Sequence, residues 1–269
     1  MRQWRLIYDK PMFGAYNMAI DEAIMQAVGQ GDAPPTLRLY AWEPLCLSLG
    51  YGQRLRDVDQ ERLHGQRWHL IRRPTGGKAI LHGDELTYSV ALPQYDELAQ
   101  GDVVESYRRI SEALINSLQS LGVSPRSEKQ AKGNRDLGPV CFEVPSHYEI
   151  TADGKKLIGS AQVRRRQGIL QHGTLPLHGD ITRICEVLAY ADETERAHAR
   201  QQVAQRATTL GSVLGHDVDW QTVAEALVQG FTQTFDIQFQ QSQLTPEEQN
   251  TVARFLDERY HNAGWLAKR

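Results

Sequence analysis

The chain has 269 residues, 41% of them apolar and 23% charged, and carries a formal net charge of −3. Such a composition excludes a disordered chain, the small charge offers nothing to a polyanionic partner such as nucleic acid, and no apolar run approaches the ~20 residues of a membrane span. The length fits one domain, or one domain with a small annex.

The N-terminal MRQWRLIYDK has no apolar secretory core, so a cytosolic location is expected. Three separated cysteines (Cys46, Cys141 and Cys185) fit a reducing compartment and suggest no disulfide framework. Neither CxxC nor HExxH occurs, so no dedicated metal site is expected. Arg164-Arg165-Arg166 is short and reads as a solvated strand end.

Taken in order, Trp4–Ile7 is a short strand. Ala19, Ile20, Ala23, Ile24, Ala27 and Val28 repeat at helical spacing, and Gly29 and Gly31 end that helix. Leu37–Tyr40 and Cys46–Leu49 read as two strands across a turn at Glu43-Pro44. Cys46 alternates with leucines and reads as core. Val58–His64 is a short helix, Trp68–Ile71 a strand, and Leu86–Leu92 another, closed by Pro93. The apolar positions from Val103 to Leu121 predict a helix stopped by Gly122. Residues 124–138 are polar and aperiodic, a long loop of the kind that often carries function.

Beyond residue 177 helices dominate. Ile181–Tyr190 is helical with Cys185 on its apolar face, Glu193–Arg206 is an exposed helix, and Trp220–Phe235 is amphipathic. Thr245-Pro246-Glu247-Glu248 is a helix start with a capping box. Strands before and helices after predict an α+β fold, with a helical C-terminal segment of about 181–269 and no internal repeat.

The chemistry concentrates in residues 140–175. Cys141 lies in a loop beside Gly138-Pro139, and a thiolate there can accept an acyl group and release it again. It needs a nearby cation to lower its pKa. Lys155 or Lys156 supplies one if strands around 147–151 and 157–163 form a hairpin about Asp153-Gly154; pleating sends the two lysines to opposite faces. Gly159-Ser160-Ala161 is a small-residue run of the kind that lets a ligand or another backbone approach, or simply packs tightly. Gly76-Gly77, after Arg72-Arg73, can present free N–H groups, but the P-loop pattern is missing. Arg72 and Arg73 read as one in, one out. His82 and His172 end apolar runs and are as readily structural. Ser160 with His172 and Asp153 or Asp180 could be written as a triad, but no GxSxG elbow supports it.

Together, four ordered motifs carry a resemblance: RRPTGGKAILHGDELTYSV, CFEVPSHYEI, GKKLIGSAQ and LQHGTL. With NMAIDEA near the N-terminus, the LRLYAWEP and LSLGYGQ strands and the helical C-terminal part, nearly the whole chain resembles the biotin/lipoate A/B protein ligase superfamily. The cysteine fifteen residues before the motif lysine is similar to the LipM-type octanoyltransferases in particular. The resemblance implies a biotin/lipoate protein ligase-like mixed sheet flanked by helices over a single catalytic domain, 1–269. It implies transfer of octanoyl from octanoyl-acyl carrier protein to a lysine of a lipoyl domain, such as glycine cleavage H protein, with no cofactor, nucleic acid or membrane. Cys141 and Lys156 would be catalytic, with Lys155 pointing away. Substrate-binding roles would fall to Arg72, Thr75, Gly76, Gly77, Lys78, Ala79, His82, Gly159, Ser160, Ala161, His172, Gly173 and Thr174. Two departures stand out: His82 is followed by Gly83 where the family often has Asp, and Lys78 stands where ATP-dependent lipoate ligases tend to carry a third glycine. The alternatives are such a ligase and an amidotransferase that moves octanoyl between lipoyl domains.

Overall fold

A computed structural model describes residues 2–128, 149–166 and 168–268. In chain order its elements are β1 (Arg2–Tyr8), α1 (Gly14–Gln30), β2 (Thr36–Tyr40), β3 (Cys46–Leu49), α2 (Gln60–Gly65), β4 (His69–Arg72), β5 (Ile80–His82) and β6 (Glu85–Leu92). Then come α3 (Val103–Ser120), β7 (Arg126–Glu128), β8 (Glu149–Ala152), β9 (Lys155–Arg165) and β10 (Gly168–Pro176). The C-terminal part holds α4 (Glu193–Arg206), α5 (Leu210–Leu214), α6 (Trp220–Phe235), β11 (Ile237–Gln241), α7 (Pro246–Phe255) and α8 (Ala263–Leu266).

Among the described residues eight strands form one mixed sheet in the order β11-β1-β2-β6-β10-β9-β8-β7, and β4-β3-β5 form a second. Alternation along the strands sorts side chains onto two faces. Leu37 and Leu39 of β2, Tyr88 and Val90 of β6 and Ile169 of β10 pack with Ile110, Leu114 and Leu118 of α3 and Leu227 and Phe231 of α6. On the other face Ile7, Ala91 and Leu170 meet Ile20, Ala23 and Ile24 of α1 and Phe255 of α7. Further along this second face the strands turn polar but stay buried: Arg38 and Tyr40 of β2, Thr87 and Ser89 of β6, His172 of β10. Buried polar groups need partners, and they find them in α1 and in the small sheet. The site lies there.

Local signals behave as the sequence predicts at several points. Gly31 ends α1 in the left-handed conformation (φ 84°). Thr245 and Glu248 form the capping box of α7 with Pro246 in its first turn. Asp153 and Gly154, both at positive φ, make the two-residue β8–β9 turn. Two expectations change. Cys46–Leu49 does not pair with Leu37–Tyr40: β2 joins β1 and β6, while β3 joins β4 and β5. Leu47 and Leu49 belong to a third core with Val58, Ile184, Cys185 and Val203, and that draws β3 out of the large sheet. The helix expected over 181–190 is a 3-10 turn, Ile181–Glu186. The edge strand β11, parallel to β1, carries a single buried apolar residue, Ile237, too little for a periodic signal. Among the described residues no helix is long and apolar enough to cross a membrane.

Candidate active site

A cavity of about 130 Å³ opens between the polar face of the large sheet and the small sheet. Lys156, Gly159, Ser160 and Ala161 of β9 and His172, Gly173 and Thr174 of β10 form one wall. Arg73, Gly77, Lys78, Ile80 and His82 form the other, and Met18, Tyr40, Trp42 and Thr87 close the remaining sides. The two motif regions that the sequence places 80 residues apart therefore face one another.

Lys156 is 3% exposed. Its ammonium donates to Glu149 Oε1 at 2.5 Å, an ion pair buried on both sides. Glu149 and Lys156 come from adjacent strands of the hairpin, whose register slips between Ile150 and Thr151. The backbone of Lys156 is pinned from outside: its carbonyl accepts from the Thr208 amide, and Lys155 Nζ reaches the Ala204 carbonyl on the opposite side. Lys155 and Lys156 therefore diverge as pleating requires. Gly159 leaves room for the lysine stem, since a Cβ there would stand 3.2 Å from Lys156 Cε.

Two hydroxyl–imidazole–carboxylate chains flank the cavity. In one, His172 Nδ1 lies 3.1 Å from Asp21 Oδ2 and His172 Nε2 lies 2.7 Å from Thr75 Oγ1. Asp21, fully buried on α1, also accepts from Arg38, Tyr40 and Ser89, each at 2.8 Å. Burial alone would raise the Asp21 carboxyl; the hydrogen bond from His172 and the charge of Arg38 outweigh it and hold the group below the usual carboxylate range. Burial pushes His172 the other way, below the usual imidazole range, against the pull of Asp21. The ring is thus neutral at pH 7, with Nδ1–H donating to Asp21 and Nε2 accepting from Thr75. In the second chain His82 Nε2 meets Ser48 Oγ at 2.8 Å and His82 Nδ1 meets Glu85 Oε1 at 2.7 Å. Glu85 accepts from Thr87, which accepts from the Trp42 indole, and the Trp42 ring stacks on His82 at 3.9 Å.

Several sequence-selected residues take other places. Arg72 and Arg73 are both buried, not one in and one out. Arg73 faces the cavity and donates to Ser48, Gly76 and Lys78. Arg72 turns away and donates to the carbonyls of Gly50, Gln53 and Leu266, where it clamps α8. Thr75 stands behind His172, Ala79 packs in the core of the small sheet, and Gly76 is outside the cavity lining. Ser160 Oγ accepts from Tyr88, so Ser160 and His172 form no triad. Asp84, beside Gly83, pairs with Arg183. Cys46 is fully buried and its thiol is pushed far up by burial, while Cys185 is equally enclosed. Cys141 lies outside the described residues. Among those described, no group of three or more His, Cys, Asp or Glu side chains is placed to hold a metal.

Sequence reasoning missed Asp21, Arg38, Tyr40, Trp42, Arg73 and Glu149. One signal was available for two of them: a charge inside an otherwise apolar run, Asp21 in NMAIDEA and Arg38 in LRLY, marks a buried ionic partnership.

Residues 14–232 match the model of the lipoyl protein ligase A/B catalytic domain. The chain is 40% identical to the octanoyltransferase LipM of Kyrpidia tusciae, over 95% of this chain and 96% of that one. It is 36% identical to the octanoyltransferase LipM of Clostridioides difficile, with both chains covered in full. Its fold superposes on the bi-partite lipoate protein ligase of Thermoplasma acidophilum, studied with its E2 lipoyl domain, with a TM-score of 0.84 at 26% identity over 100% of this chain and 98% of that one. A lipoate-protein ligase A bound with ATP gives a TM-score of 0.82 at 26% identity, over 100% and 99% of the two chains. The chain belongs to the lipoyl protein ligase A/B catalytic domain family.

Proposed function

We propose that this enzyme is an acyltransferase of protein lipoylation that moves an octanoyl group from octanoyl-acyl carrier protein, through a thioester on Cys141, to a lipoyl-domain lysine such as that of glycine cleavage H protein. The observation that carries the reading is the buried Lys156 ammonium in a cavity with apolar walls, in a chain matched over its full length by octanoyltransferases. Met18, Trp42, Ile80 and Ala161 give an alkyl chain apolar contact, and each methylene removed from water contributes about 0.8 kcal/mol. The Cys141 thiolate attacks the donor carbonyl, the carrier thiolate departs, and the acceptor amine then displaces Cys141. Lys156 stabilises negative charge on the carbonyl oxygen and on the Cys141 sulfur. The Thr174 hydroxyl lines the same cavity, buried and without a hydrogen-bond partner among the described residues, and is a second donor for that oxygen. A cytosolic setting keeps the Cys141 thiol reduced.

The test is intact-mass analysis after mixing with octanoyl-acyl carrier protein. Wild type gains one octanoyl group that hydroxylamine removes, and Cys141→Ala gains none. Octanoylation of a lipoyl domain at the wild-type rate by Cys141→Ala would refute the role of Cys141. Transfer from free lipoate that requires ATP would instead make the chain a ligase, and transfer only from octanoylated H protein an amidotransferase.

A further inference from the structure

The run Arg164-Arg165-Arg166, a solvated strand end by sequence, borders a groove of about 530 Å³ that begins where the cavity stops. Gly77 lines the cavity and Gly76 the groove; along β9 the lining passes from Ala161 to Val163 and Arg165. Arg259, Trp265 and Lys268 also line it, and they follow residue 232, where the match to the catalytic-domain model ends. The groove is positive although the chain has a net charge of −3. Arg165 and Arg259 share one buried carboxylate, Glu22, which balances only one of them. Lys268 Nζ lies 5.0 Å from the centre of the Tyr51 ring and 5.1 Å from that of Trp265, and no carboxylate pairs with it among the described residues. Trp265 is itself fixed: its indole donates to the Arg72 carbonyl at 2.9 Å, and Arg72 donates to the Leu266 carbonyl. Arg164 is turned to the carbonyls of Gly101 and Asp102.

We propose that this groove binds the phosphopantetheine arm of the acyl donor, with Arg165, Arg259 and Lys268 on its phosphate. This rests on the octanoyl-transfer reading. An acyl carrier protein holds its acyl thioester at the end of that arm, and the phosphodiester at the other end carries a negative charge, which guanidinium and ammonium groups recognise. About thirteen bonds separate the sulfur from the phosphorus, the length of about four extended residues, roughly 14 Å. Ala161 and Arg165 are four residues apart on β9, about 13 Å at the rise of a strand. A thioester at the level of Ala161 thus brings the phosphate to the guanidinium of Arg165. Between them the methyl groups and amides of the arm pass Val163, Pro74 and the Tyr51 ring, which is 38% exposed. A slot continuous with the cavity suits a flexible arm that must carry the thioester inside while the folded carrier stays outside.

The experiment uses a series of octanoyl thioesters, of N-acetylcysteamine, pantetheine, phosphopantetheine and acyl carrier protein. Wild type is expected to show a KM about tenfold lower for the phosphopantetheine donor than for the pantetheine donor, the worth of one charge-assisted hydrogen bond, with kcat unchanged. Lys268→Glu and Arg165→Gln should abolish that difference and raise KM for the carrier-protein donor, while using the N-acetylcysteamine donor as wild type does. Lys268 is exposed, so its variant carries the test if Arg165→Gln does not fold. Equal KM for the two pantetheine donors in wild type would overturn the proposal. So would a loss confined to the carrier-protein donor, which would assign the cations to the protein and not to its arm. In parallel, calorimetry measures binding of S-octyl-phosphopantetheine and S-octyl-pantetheine, thioethers that cannot transfer an acyl group. ATP binding tighter than the phosphorylated thioether, and weakened by the same variants, would assign the groove to a nucleotide and overturn the proposal as well. If no donor is turned over while the phosphorylated thioether still binds about tenfold tighter than the other, the transfer reading fails and the phosphate site stands.

Discussion

Gly159→Ala tests whether the position of Lys156 governs the rate. The new Cβ would stand 3.2 Å from Lys156 Cε and 3.7 Å from Nζ, whereas carbon pairs rest at about 3.5–4.0 Å. The backbone of β9 accepts alanine, because Gly159 is not among the positive-φ residues, so the lysine stem must give way by about 0.5 Å. Its Nζ is tied to Glu149 at 2.5 Å, and the shift either stretches that bond or tilts the ammonium away from the substrate. A misplacement of about 1 Å costs roughly a hundredfold in rate, so half that distance should lower kcat about tenfold. Stability should not fall, since alanine in a strand gains roughly 0.5–1 kcal/mol over glycine and offsets the tight contact. The assay is octanoyl transfer to a lipoyl domain at saturating donor, with thermal unfolding alongside. Gly65→Ala serves as the control, because a Cβ there meets nothing within 4 Å. A Gly159→Ala enzyme with kcat within twofold of wild type and unchanged stability would refute the argument that the Lys156 stem is held in register by the space above Gly159.

Two further predictions concern the carboxylate under the cavity. Asp21→Asn removes one of the two carboxylates on the buried guanidinium of Arg38 and leaves Asp9 as the other; losing a hydrogen bond to a charged group costs about 1.5–3 kcal/mol, so Tm should fall by about 3–12 °C, read by calorimetry. The pH dependence of stability follows from His172. Its pKa is lowered in the folded state, so below about pH 6.5 the unfolded chain binds the extra proton and stability declines with falling pH until the folded-state value is passed. Asp21, also lowered, adds a second loss only below about pH 4. Urea unfolding at pH 7.5, 6.5 and 5.5 should show the first decline in wild type and a flatter profile in His172→Gln.

The α+β pattern of strands and helices was legible because its signals are local, such as the turn at Asp153-Gly154, the cap at Thr245 and the stop at Gly31, while the mixed sheet followed only from the family resemblance. What was not legible depends on partners far apart in the chain. Nothing between residues 36 and 49 says that two neighbouring strands enter different sheets; that depends on Leu47 and Leu49 finding Ile184 and Cys185. The arginine pair shows the same limit. Arg72 and Arg73 are consecutive, so pleating separates them, but it is the distant carbonyls of Gly50, Gln53 and Leu266 that hold Arg72 away from the cavity and leave it to Arg73. Glu149 was passed over for the same reason, as its ion pair with Lys156 exists only once the hairpin register brings the two together.

The run Gly159-Ser160-Ala161 shows how one motif can hold three separate requirements. Small residues in a strand suggest close approach of a ligand or of another backbone, and Ala161 lines the cavity. Gly159 is small because the stem of Lys156 lies over it. Ser160 is a hydrogen-bond acceptor for the buried Tyr88 hydroxyl, on the face of the sheet toward α3, and its neighbour across the ladder must be Gly173, where a Cβ would come within 2.4 Å of Ser160 Oγ. The glycine of LQHGTL is therefore coupled to the serine of GKKLIGSAQ through packing rather than through substrate. An alanine at 173 acts on the fold of the wall, and an alanine at 159 acts on the charge inside it.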